Sequence, residues 1–205
     1  MSLDKLNTAI GDFIQQSLSC ETNILGTIEK KQNPISLKNL PIKLSPELDF
    51  LYTNYDCNIT ITGNNIAFTE FHNLIKRQEG FATYSIDGGK TQIKNPNWTE
   101  GWIVIADMND DPIAANTNIE ETPILAAIEG VNYMEIAPSL SAFFQILTEL
   151  LKSSQLHKEN EPDADENFEE WITYNQEIVQ PNFLEQIRRI VNDEHLQNLK
   201  DFLFS

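Results

Sequence analysis

The chain has 205 residues, 14 Lys and Arg against 31 Asp and Glu, a formal charge of −17 and a sequence pI near 4.4. That length suits one domain, or one domain with an appendage, and is enough to bury a core without staples. The charge argues against a nucleic-acid backbone or an anionic membrane as ligand, since both are bound through Lys and Arg, and makes a basic protein the natural complement.

The first predicted element is a helix over 3–18, where Leu3, Leu6, Ile10, Phe13 and Ile14 recur at three-to-four spacing. No continuous apolar segment of the signal-peptide kind opens the chain, and no run approaches the about 18 apolar residues of a membrane span. A reducing cytoplasm is therefore expected, with Cys20 and Cys57 as buried thiols and the sequons at Asn58 and Asn97 without meaning.

A connector punctuated by Pro34 and Pro41 leads to a marked helix start: Ser45 as N-cap, Pro46 in the first position, Glu47 in the first turn. Leu48, Leu51, Tyr52 and Tyr55 form its apolar stripe. Period-two alternation then predicts a strand at Ile59–Ile61, a turn at Gly63-Asn64-Asn65 and a strand at Ile66–Phe68. Thr69 is placed to cap a helix reaching Glu79, with Phe71, Leu74, Ile75 and Gln78 on successive turns and Gly80 ending it. Strands follow at Phe81–Ile86 and up to Ile93, reversing at Asp87-Gly88-Gly89. Trp102–Ala106 is apolar throughout, which predicts a central strand covered on both faces. Asp110-Asp111-Pro112 turns it toward Ile113–Ala115. Pro123–Ile128 and a short edge strand at Tyr133–Ile136 come next, and Pro138 opens a helix through Leu151.

Composition shifts near residue 153. Seven acids and one lysine lie between His157 and Glu170, with Pro162 breaking any helix there. Two helical patterns follow, one through Trp171, Tyr174 and Ile178 and one from Phe183 to Leu203, divided by Pro181 and an Asn192-Asp193 cap. Residues 1–150 carry 9 basic and 19 acidic side chains, and 151–205 carry 5 and 12. Helices, short strands, then helices predict an α+β fold with a mostly antiparallel sheet packed with helices, plus a C-terminal helical extension. The division expected is a domain over 1–154 and an acidic linker with helices over 155–205, packed on that core. A monomer or a weak homodimer fits this arrangement.

Chemistry-bearing motifs are few. The histidines His72, His157 and His195 stand beside no nucleophile elbow, and the Gly88-Gly89 pair reads as hairpin chemistry because no helix start or lysine follows in register. Asp163 to Asn167 begins like a calcium loop but has Phe168 where Gly is needed and Tyr174 where Glu is needed. No metal, no cofactor and no enzymatic activity are expected. Asp107, Asp110 and Asp111 stand at the end of the best strand, where functional loops sit, and equally where a tight reversal needs Asp and Asn.

The stretch Asn97-Trp98-Thr99-Glu100-Gly101-Trp102-Ile103-Val104-Ile105-Ala106-Asp107-Met108-Asn109-Asp110-Asp111-Pro112-Ile113 resembles the signature of the SUKH superfamily. Leu40-Pro41, the helix Leu48–Tyr55, Thr69–Gly80-Phe81, the strand Pro123–Ile128 and Ala137-Pro138-Ser139-Leu140-Ser141-Ala142-Phe143-Phe144 match its further elements in order. The resemblance covers about 36–151 and departs at Asn109-Asp110-Asp111 and at Asp56-Cys57-Asn58, where the family has Gly-containing turns. It implies a binding protein: an immunity protein that neutralises a cognate toxin, often a nuclease, or a regulator or scaffold of the Smi/Knr cell-wall-synthesis type. The expected partner is a basic toxin or effector, met by Asp107, Asp110, Asp111, Glu120, Glu121, Asp163, Asp165, Glu166, Glu169 and Glu170.

Overall fold

The structure is a computed structural model that describes residues 2–20, 24–37, 40–62, 64–87, 91–156 and 168–204. Its centre is a seven-stranded sheet in which every neighbouring pair is antiparallel. The strands are β1 (Ile24–Lys30), β2 (Tyr55–Ile61), β3 (Ile66–Phe68), β6 (Trp102–Met108), β7 (Asp111–Asn116), β8 (Ile124–Ile128) and β9 (Val131–Ala137), in that spatial order. A separate hairpin, β4 (Thr83–Ile86) with β5 (Thr91–Lys94), leaves the sheet between β3 and β6. The α+β class with a mostly antiparallel sheet is thus what the chain adopts.

The apolar strand β6 lies fourth of the seven, and its two faces meet different neighbours. Ile103 and Ile105 enter the main core with α1 (Ser2–Ser19), α2 (Pro46–Asn54) and α4 (Leu140–Leu156), while Val104 belongs to a smaller cluster with Trp98 and Ala114. Alternating side chains on a pleated strand produce that division. In the main core Phe144 of α4 stacks on Phe68 at 5.7 Å and meets Phe13 of α1 edge-on at 5.7 Å. Full burial of each such ring contributes roughly 1.5–3 kcal/mol. Both cysteines are free and buried.

Four local expectations are corrected. Strand β1 occupies part of what reads as connector: only Ile28 of its seven residues is buried, so an edge strand leaves little periodicity to detect. Helix α2 ends at Asn54, because Tyr55 already pairs with Lys30 in the sheet. The helix expected to run from Thr69 to Glu79 is a 3-10 turn, Phe71–Asn73, followed by a single α turn, α3 (Leu74–Arg77). Thr69 does not cap it: Glu70 holds the N-cap position, and the Thr69 backbone N–H donates to the Ile105 carbonyl of β6. Pro181 divides nothing: α5 (Phe168–Tyr174), a π turn at Asn175–Val179 and α6 (Gln180–Ile187) run on. A proline lacks the N–H that the helix interior uses, and the wider π turn just before it accommodates that loss.

The C-terminal helices close the core. Phe183 and Ile187 of α6, with Leu199 and Phe202 of α7 (Asp193–Leu203), are buried in the main cluster. Asn192 caps α7 by accepting from the His195 N–H at 2.9 Å. Helix α7 also lies along the outer strand β9, where Asn198 Nδ2 donates to the Glu135 carbonyl at 2.8 Å and His195 Nε2 meets the Glu135 carboxylate at 2.8 Å. A sheet edge is thereby covered, which removes a template for unwanted strand pairing.

Candidate functional site

Three turns meet at one end of the sheet. Asn109 and Asp110 join β6 to β7 with φ of 52° and 71°, the geometry of a two-residue hairpin turn with both central residues left-handed. The reversal is therefore one residue earlier than the sequence suggests, and Asp111 and Pro112 already belong to β7. Asn and Asp tolerate this conformation, so the turn needs no glycine. Glu129 and Gly130 form the corresponding turn between β8 and β9, with φ of 55° and 67°. The Asn65 amide, from the turn between β2 and β3, donates to the Asn109 side chain at 2.6 Å.

Carboxylates gather at this end, and they are not equivalent. Asp107 is largely spent within the chain: Arg77 contacts it at 2.6 Å, and that guanidinium also lies over the Phe81 ring, 5.4 Å from its centroid. Asp110 is 97% exposed and stands 4.0 Å from Arg77. Asp111 accepts the Glu129 backbone N–H at 2.6 Å, which braces the adjacent turn. Glu129 itself is exposed. A groove of about 480 Å³ runs beside them, lined by Glu70, Lys76, Arg77, Glu79 and Asp107 among others.

The remaining expected residues lie elsewhere. Glu120 and Glu121 are exposed in the loop from β7 to β8, at the opposite end of β7. Six residues of strand put that loop about 17 Å from Asp111. Glu169 and Glu170 are exposed on the first turn of α5. Asp163, Asp165 and Glu166 lie outside the described residues. The structure thus brings Asp107, Asp110 and Asp111 together and keeps Glu120 and Glu121 apart from them. It adds Glu129, for which the Glu129-Gly130 pair between two apolar strands was the available signal.

The second face of the sheet carries an aromatic group. Trp98, Trp102 and Tyr133 contact one another with centroids 5.8, 5.5 and 4.9 Å apart, over Val104 and Ala114. Trp98 is buried and its indole N–H donates to the Trp102 carbonyl, whereas Trp102 and Tyr133 are half-buried. Burial first, and then the neighbouring charge of Asp111, push the Tyr133 hydroxyl up to about 12.

Other chemistry is limited. His72 and His195 each face a carboxylate, Glu70 at 3.0 Å and Glu135 at 2.8 Å. Burial raises the Cys57 thiol to about 12, which keeps it protonated and a poor nucleophile at neutral pH. Among the described residues no group of three or more His, Cys, Asp and Glu is placed to hold a metal ion, and no helix is long and apolar enough to cross a membrane. No protein-family model, curated protein or solved structure matches the chain.

Proposed function

We propose that the chain is an intracellular acidic binding module with a SUKH-like core, acting as an immunity protein that neutralises a basic, nuclease-type toxin by direct binding. The observation that carries this reading is the acidic end of the sheet: Asp110 is 97% exposed, Asp111 and Glu129 flank it, and of the two cations lining the adjacent groove, Lys76 and Arg77, Arg77 is engaged by Asp107. A toxin that acts on nucleic acid needs a basic groove, and an acidic surface competes for it. Complementary charge of this kind mainly raises the association rate, by an amount that falls with added salt.

The test is co-expression of the chain with each protein encoded beside its own gene. Rescue from growth arrest, together with a complex whose association slows with salt, supports the reading. Absence of both a complex at low salt and rescue overturns it. A complex that forms without any toxicity to relieve moves the chain to the regulatory or scaffolding class.

A further inference from the structure

We propose that the aromatic face centred on Trp102 and Tyr133 is the anchoring surface for that basic partner, taking an arginine or lysine side chain across the two rings. This rests on the function proposed above and says where the lasting contact is made. The rings are 4.9 Å apart and inclined at 47°, so they present a shallow trough. Trp102 and Tyr133 are half-buried, and their polar tips make no hydrogen bond among the described residues, whereas the buried Trp98 beside them does. Val131, two residues before Tyr133 and next to the Glu129-Gly130 turn, is 54% exposed and adds an apolar side chain toward the acidic end.

Charge decides the occupant. Asp111 stands near enough to Tyr133 for its charge to bear on the hydroxyl, and Glu129 is joined to Asp111 through its backbone. Glu100, two residues before Trp102, is already paired with Lys94 at 3.3 Å, so the remaining carboxylates lie on the Asp111 and Glu129 side. A cation on the rings therefore finds aromatic faces beneath it and carboxylates on that side, and Trp, Tyr and Arg are the side chains that dominate interface energies. A second copy of this chain, at −17 and with the same acids, is repelled from this surface.

The experiment titrates the full-length, isotope-labelled chain with an oligo-arginine peptide at about 0.15 M salt, where diffuse charge attraction is screened. The Trp102 indole signal and the amides of residues 131–133 are expected to shift together. Val131→Arg, a surface change that places a cation between the Glu129-Gly130 turn and Tyr133, and Tyr133→Leu are each expected to weaken binding about tenfold. Glu185→Gln, on the exposed side of α6, is expected to leave affinity within about twofold. Shifts that bypass Trp102 and residues 131–133, or unchanged affinity in both variants, overturn the anchoring surface and leave the basic-partner reading standing. Failure of any basic peptide to bind even at low salt overturns both.

Discussion

The carboxylate of Glu47 accepts the backbone N–H of Leu140 at 3.2 Å, across 93 residues of sequence. Glu47 is in the first turn of α2 and only 2% exposed, and Leu140 is the first residue of α4. An anion at a helix N-terminus meets both an orphan donor and the positive end of the helix dipole. Two helix starts are thereby joined beneath the loop from β7 to β8, where Thr122 donates its hydroxyl to Ser45 at 2.6 Å.

Glu47→Ala is expected to destabilise the fold by about 1–2 kcal/mol, because it leaves the buried Leu140 N–H only its longer contact with the Glu121 carbonyl, at 3.4 Å. Glu47→Gln keeps an acceptor oxygen and is expected to lose about 1 kcal/mol. Urea unfolding of the two variants measures the difference. Equal losses would show that the carboxylate acts only by filling space.

Gln78 takes the place of a strand residue. Its side-chain amide accepts the Val104 N–H at 2.9 Å and donates to the Val104 carbonyl at 3.1 Å, where β3 has already ended. Gln78→Leu is expected to cost about 2–3 kcal/mol by leaving both backbone groups unpaired. Hydrogen exchange at the Val104 amide reads the effect directly, and it is expected to accelerate.

Glu129 holds a left-handed backbone that glycine adopts without strain. Glu129→Gly is expected to raise stability by up to about 1 kcal/mol while weakening binding of a basic partner. A thermal melt and a binding isotherm on the same variant check both signs. A gain in stability with unchanged binding would remove Glu129 from the interaction surface.

Alkaline pH is expected to unfold the protein progressively. Burial raises Cys57 from 9.0 to about 12 and Tyr133 from 10.0 to about 12. Each native state holds its proton where the unfolded chain has released it. Their contribution is full below the unfolded values and is lost as pH rises toward about 12. Stability measured from pH 8 upward should fall, and Cys57→Ala should flatten the part of that slope beginning near 9.

The sequence by itself determined the fold class and the strong local elements. The cap at Ser45 and Pro46, the central strand at Trp102 and the cap at Asn192 are all set by neighbours within a few residues, so spacing alone reveals them. Strand β1 escapes the same test because six of its seven residues are not buried, and the helix expected from Thr69 gives way to a 3-10 turn with Glu70 at its N-cap, the Thr69 N–H being held by β6. The site was legible only in part. Asp107, Asp110 and Asp111 are close in the chain and meet in space, yet their exposures differ because Arg77, on another element, selects Asp107. Only the tertiary structure separated Glu120 and Glu121 from them, since one strand of six residues intervenes. It alone brought Glu129 to Asp111 and Tyr133 to Trp102, because pairing register and sheet twist, which depend on every strand at once, decide which distant side chains share a surface.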